Sequence, residues 1–500
     1  MEENIKIAHT KTLNKQNFNT TLSVPINSET KIKTVLDVNT YLFDLKIECG
    51  NGKAIIGGKI GMKVLYLDSD NMTGTMSDTA NFSETYLDAS ITNDTFLNLT
   101  NQTIVNNVLS IEDILKINCE VNFTPVAYVN FPIASPLQLQ DSIIVQKNEF
   151  STYSINSFVN TFFENTTNLE TKDEISKILC CNSYFSQDNI TANDGYFTVE
   201  GKLITKLLYE TSNGDTRVIK EIKEISNLKC DVEVNDLKKE HSLDLAFGVN
   251  KCYEEIQTEL EENSSIITIK NRISVTGAIL KPVTIEVVND LFSVDNEIET
   301  SMSKREHTKN MQKLSVSEIV LNETSLSSEE SAIDEVVANI NINQEIINTY
   351  VKDNIVYIEG LIYSNLIYID ENKEIKNKQV EVPFIVNTKI EAETLGCVHS
   401  EISVVDSKIK IKRGTIIELE YSIFSTTVLF EKEECEMINN FSIGKQLDFS
   451  KYDFQIFVAK QNETIWELSK RIKISPNDLQ KYNKELPLVM NGGEKVVIKR

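Results

Sequence analysis

The residues that could do chemistry in this chain are few. Four histidines, His9, His241, His307 and His399, occur in 500 residues, and only one has a thiol at ligand spacing, in Cys397-x-His399. A structural zinc site needs a second such pair close by, and none follows. Gly52-Lys-Ala-Ile-Ile-Gly57-Gly58-Lys59 has the composition of a phosphate-cradling loop. The extra Gly58 breaks its spacing, Ile60 stands where a Ser or Thr must hold magnesium, and a strand pattern follows where a helix is needed. Acidic side chains are too plentiful to exclude a hydrolytic carboxylate pair, which leaves no sequence signature of its own. Trp466, the single tryptophan, is either a core residue or an anchor for a partner, because tryptophan is enriched at the energetic centres of interfaces. The chemistry expected is recognition: no enzyme, no cofactor and no metal.

Composition agrees. Fifty Lys and Arg against 74 Asp and Glu give a net charge of −24, which argues against a nucleic-acid footprint. Apolar residues at 41% and charged residues at 25% are ordinary values for folded chains, and the length suggests about three to four domains. The start, Met1-Glu2-Glu3-Asn4-Ile5-Lys6, has no apolar run of a secretory signal, and no segment reaches the roughly 20 apolar residues of a membrane span. Eight scattered cysteines without a C-x-x-C read as reduced thiols. These features predict a cytoplasmic protein without direct membrane insertion.

The elements that must position any site recur. Gly58 to Tyr66, Gly201 to Tyr209 and Gly360 to Tyr368 each place Gly and Tyr eight residues apart, and a bulky apolar residue follows sixteen further on, at Phe82, Ile225 and Phe384. Within each copy the apolar period is two. Ala54, Ile56, Ile60, Met62 and Val64 oppose Lys53, Lys59 and Lys63; Phe197, Val199, Leu203 and Leu207 oppose Lys202 and Lys206. That is a strand with one buried and one wet face, and the shared Gly reads as a bend or bulge. Asp68-Ser-Asp-Asn71, Asn213-Gly214 and Asp370-Glu-Asn372 mark the turns after it. Later alternating runs, Ile117 to Phe123, Ile273 to Ile279 and Ile417 to Ile423, predict a second set of strands. Residues 301–335, rich in Ser, Glu and Lys, read as a linker with some helix near Ile333 to Val337.

The last fifty residues change pattern. Ile456-Phe457-Val458 predicts a strand, Thr464 with Glu467 a capping box, and Ile465, Leu468 and Ile472 the apolar stripe of a helix. Ser475-Pro476 starts a second helix carrying Leu479 and Tyr482, and Lys495 to Ile498 a closing strand. From Asp453 on, nine basic and six acidic residues give +3; the rest holds 41 and 68, giving −27.

This β-α-α-β order resembles a LysM domain. Phe457-Val458 and Asn462-Glu463-Thr464-Ile465-Trp466 stand where that family has an aromatic-Val strand followed by Gly-Asp-Thr-Leu-Trp, with Asn483 and Gly493 at its later Asn and Gly. The repeated frame, ending in Val382-Pro383-Phe384, resembles the SPOCS domain of endospore-forming Firmicutes. The resemblances imply a mainly β chain with an α+β tail: SPOCS-like domains at 1–145, 146–300 and 336–445, the linker at 301–335, and a LysM domain at 453–500. They also imply a spore-coat assembly factor in the mother-cell cytoplasm at the forespore surface, docking on the coat ATPase SpoIVA and other coat components. The partner-binding residues are then expected among Phe457, Lys460, Asn462, Glu463, Thr464, Trp466, Lys470, Arg471 and Asn483. The alternative implied by a LysM domain is an N-acetylglucosamine glycan in cortex or cell-wall assembly.

Overall fold

The computed structural model describes residues 6–26, 31–111, 114–132, 137, 142–213, 216–255, 265–391, 395–448 and 454–499. The chain is mainly β, about 80% strand, in small antiparallel sheets. One strand plan recurs. Residues 143–293 show it most simply: an opening strand β8 (Ile143–Thr171), a meander of β9 (Ile175–Asn193), β10 (Tyr196–Asn213) and β11 (Thr216–Glu233), then β12 (Ser242–Glu255) and β13 (Ser265–Ser293). The meander forms one sheet, β11-β10-β9, and the closing strand forms the other by lying between β12 and the opening strand, β12-β13-β8. Residues 296–446 follow the same plan, with β14 (Asn296–Ser325), the meander β15 (Ile333–Lys352), β16 (Ile355–Asp370) and β17 (Ile375–Lys389), then β18 (Leu395–Lys412) and β19 (Ile416–Gln446). In residues 6–132 the opening strand is broken into β1 (Lys6–Thr12) and β2 (Gln16–Pro25), both paired with β7 (Ile114–Pro132), beside the meander β3 (Ile32–Gly50), β4 (Lys53–Asp68), β5 (Thr73–Leu87) and then β6 (Phe96–Ile111).

Period-two patterning builds the cores between paired sheets. Ile56, Ile60 and Met62 of β4 meet Ile117, Cys119 and Val121 of β7; Phe197 and Leu203 of β10 meet Ile273 and Val275 of β13; Ile358 and Ile362 of β16 meet Leu419 and Tyr421 of β19. At about 25 cal/mol per Å² of apolar area, these faces supply the main drive for sheet pairing. The wet face is not wet throughout. Lys206, expected in solvent, is only 7% exposed and donates to the Asn339 carbonyl and to Ser407, each at 3.2 Å.

The recurring glycines have a close-contact reason. A Cβ on Gly58 would meet Leu45 at 2.9 Å and the Phe82 ring at 3.0 Å, and one on Gly360 would enter the Phe384 ring. Both phenylalanines lie directly opposite their glycine across the hairpin. The bulge is on the neighbouring strand: pairing skips between Phe43 and Lys46, across Asp188, and between Ile346 and Asn348, each time opposite the glycine. Ile225 does not match Phe82 and Phe384. The β10–β11 hairpin extends further past Tyr209, so Gly201 faces Leu228, Ile225 faces Ile204, and Phe185 of β9 covers the glycine instead. Asp68 and Asp370 make equivalent turns, each Oδ1 accepting two backbone N–H groups at 2.8–2.9 Å; Gly214 lies outside the described residues.

Residues 301–335 are not a linker, and no helix forms near Ile333. Strand β14 runs through Ser325 in register with β19, and β15 begins at Ile333. As an edge strand with one solvent face, β14 needs only spaced apolar residues such as Leu314, Val316 and Val320 on its inner side, so its composition imitates a linker.

Two apolar junctions among the described residues join the three strand sets, beside a smaller one of Ile7, Ile285, Val287 and Met437. Leu36 and Leu65, Leu179 and Leu208, and Ala338 and Ile367 form one. Val126 and Tyr128 of β7, Ala278 and Leu280 of β13, and Val428 and Phe430 of β19 form the other. Beside the second, Asp244 accepts from the Tyr128 hydroxyl at 2.6 Å and bonds His399 Nε2 at 3.0 Å, all three buried, one from each set. Burial pushes the Asp244 carboxyl up, but the charge and hydrogen bond of His399 and the Tyr128 bond hold it below the usual range; for His399, burial works downward and Asp244 more than reverses it.

The tail is a small separate module. Strand β20 (Phe454–Val458) pairs antiparallel with β21 (Lys495–Lys499), and α1 (Ile465–Ile472) and α2 (Pro476–Tyr482) cover one face. Thr464 caps α1 with the full capping box, and Ser475 caps α2. Leu468, Ile472, Leu479, Val496 and Ile498 form its core; Tyr482 is exposed.

Candidate functional site

The nine residues expected to bind a partner divide into three groups. Five of them build the module. Asn462 takes a left-handed turn at φ 62° and donates its N–H to the Met490 carbonyl. Thr464 caps α1. Glu463 is buried; Arg471 donates Nε at 2.7 Å and Nη2 at 2.8 Å to it, holding the carboxyl low against the upward push of burial. Arg471 also reaches the Val458 carbonyl at 3.1 Å, tying α1 to β20. Asn483 closes the free edge of β21: its Nδ2 donates to the Val497 carbonyl and its Oδ1 accepts the Val497 N–H, both at 2.8 Å.

Trp466 and Lys470 form the second group, and they face their own chain. The Trp466 indole N–H donates to Asp290 Oδ2 at 2.8 Å and Lys470 Nζ to Asp290 Oδ1 at 2.5 Å. The indole packs against Phe292 in a T-shaped arrangement with centroids 5.2 Å apart, and Lys473 Nζ lies over the Phe292 ring at 5.8 Å. Burial raises the Asp290 carboxyl, and the bonds from Lys470 and Trp466 more than offset it. Asp290 sits at a bulge in β13, where pairing with β8 skips a residue, and the bulge turns its side chain toward the module. The position one residue off the apolar stripe of α1 is therefore satisfied by β13.

Phe457 and Lys460 remain. Phe457 points inward and packs on the module core, while Lys460 is exposed and its N–H donates to Glu463. The period of two that turns Phe457 inward turns Phe454, Ile456 and Val458 outward, and these are 65%, 68% and 56% exposed. The signal for them was the alternation itself, read from the other face.

Elsewhere, an open cleft of about 560 Å³ is lined by His9, Lys11, Thr12, Cys397 and Lys432 among others. Its thiol, Cys397, is 3.0 Å from Thr12 Oγ1, and burial pushes it up to about 11, so it is not a thiolate at neutral pH. His399 turns instead to Asp244. No cluster of His, Cys, Asp or Glu suited to a metal occurs among the described residues, and none of their helices is long and apolar enough to cross a membrane. Comparison with known proteins gives no match: no family model, no curated protein and no solved structure.

Proposed function

We propose that the chain is a non-enzymatic scaffold for endospore coat assembly, in which the β body supplies a mount and the terminal module docks on a SpoIVA-like coat ATPase at the forespore surface. The observation that carries this reading is the module itself: a separately cored β-α-α-β unit whose residues resemble a LysM domain, held on an acidic β body by Asp290 and Phe292. The SPOCS-like frame of the body supports the same assignment. Partners polymerised on a surface would multiply a modest contact by avidity. The test is a chain ending at Ser450, assayed for binding to purified SpoIVA and for forespore localisation. Loss of both is expected; unchanged localisation would overturn the proposal. Titration of the full chain with chito-oligosaccharide completes the test, because tight sugar binding without protein binding would assign the module to glycan instead.

A further inference from the structure

With Trp466 committed to β13, the outer side of the module's two-stranded sheet stays open among the described residues. Antiparallel register sets Phe454 opposite Lys499, Ile456 opposite Val497, and Val458 opposite Lys495. Directly opposed residues share a face, and all six point away from the helices: Phe454, Ile456 and Val458 are more than half exposed, Val497 is 39% exposed, and both lysines are in solvent. Four apolar side chains in water on one face of a two-stranded sheet are an unusual surface, since the inner positions Val496 and Ile498 are fully buried; the module's other exposed apolar side chains, Tyr482, Leu488 and Val489, lie outside these strands.

We infer that this face is the module's protein-docking surface, and that its partner presents an apolar strip flanked by two carboxylates. The inference rests on the reading of the module as the docking element. The charges determine the kind of partner. Lys495 and Lys499 are four residues apart on one strand, about 13 Å at ~3.3 Å per residue, and bracket Val497 at either end. A second copy of the same face offers no carboxylate to either lysine, so self-pairing is disfavoured. A bilayer is disfavoured too, because two lysines contribute only about 1 kcal/mol each near an anionic surface. Edge-on strand addition at β21 is blocked where Asn483 occupies the Val497 N–H and carbonyl. The partner must therefore lie flat on the face, with carboxylates at the lysine spacing and aliphatic side chains over Ile456 and Val497.

The probe is a designed β-hairpin peptide with Glu, Ile and Glu at alternate positions of one face, titrated by calorimetry into the full chain; a Lys-Ile-Lys hairpin is the control. Saturable binding to the acidic hairpin is expected, at least about tenfold tighter than to the control. Lys495→Glu with Lys499→Glu should reverse that preference, and Ile456→Ser should abolish binding to both. Unshifted Trp466 fluorescence in these variants would show the module folded and in place. Equal binding of both hairpins, or of neither, overturns the inference, and tighter binding to phosphatidylglycerol vesicles than to the hairpin reassigns the face to lipid. Purified SpoIVA separates the two proposals. Acidic-hairpin binding without SpoIVA binding rejects the coat reading alone, whereas SpoIVA binding undiminished in the variants rejects the face alone.

Discussion

His399 Nε2 lies 3.0 Å from the Asp244 carboxylate although the two stand 155 positions apart and belong to different strand sets. With the Tyr128 hydroxyl on the same oxygen, the pair ties β7, β12 and β18 together in the interior. Removing one member of a buried pair strands the other, which costs about 3–5 kcal/mol. Asp244→Ala should lower stability by that amount in urea denaturation, and more than a comparable substitution at an exposed acid such as Glu299. The pH dependence has two sides. Asp244 is depressed, so its contribution is full above the ordinary carboxylate range and lost as pH falls through its folded value. His399 is raised, so its contribution is full below about 6.5 and lost as pH rises through its folded value. The pair is strongest in mildly acidic solution.

Asp37 should show the opposite slope. Its carboxyl, buried in β3 and bonded by the Asn365 amide at 2.9 Å, is pushed up to about 6 by burial. The folded state then holds a proton that the unfolded state releases earlier, so stability falls as pH rises from about 4 to 6, by roughly 3 kcal/mol. Asp37→Asn should flatten that part of the stability curve, as measured by thermal melts across pH.

Two glycines of the repeated frame should differ in tolerance. At Gly58 a methyl would press on the Leu45 side chain at 2.9 Å, a flexible neighbour; at Gly201 it would run into the Ser186 carbonyl oxygen, which is backbone. Gly58→Ala should therefore cost about 1–3 kcal/mol and Gly201→Ala clearly more, read as the order of denaturation midpoints.

Asp290→Ala should release the module without unfolding it. The only tryptophan of the chain loses its hydrogen bond, so its fluorescence should shift to longer wavelength while the helix signal of α1 and α2 persists. Because the sheet face is untouched, affinity for the acidic hairpin should stay within about twofold. A large gain would instead mean that Trp466 competes for the same partner.

Much of this was legible in sequence, because single-faced strands announce themselves. The runs at Ile117, Ile273 and Ile417 and the caps at Thr464 and Ser475 are local patterns, and local physics forms them. The junctions were harder to see. Val64-Leu65-Tyr66-Leu67, Leu207-Leu208-Tyr209 and Leu366-Ile367-Tyr368 break alternation because both faces are covered there, and continuous apolar runs are the only trace of that. Lys206 was misplaced because its partners come from β15 and β18, far away in the chain. Trp466 stayed open for the same reason: what covers it, Asp290 and Phe292, is 176 and 174 residues earlier.

The pairing of each opening strand with its closing strand also sets a timetable. Ile143 waits for Ser293 and Asn296 for Gln446, 150 residues in each case (293 − 143; 446 − 296). At about 5–20 residues per second of synthesis, the first residues of β8 and β14 emerge from the ribosome some 8–30 seconds before the residues that will pair with them. Throughout that interval they offer an unsatisfied backbone ladder to any neighbouring nascent chain. Interposing a whole meander before closure makes folding slow and non-local, so the cellular yield of this protein should depend on holdase chaperones and on translation speed more than on its final stability.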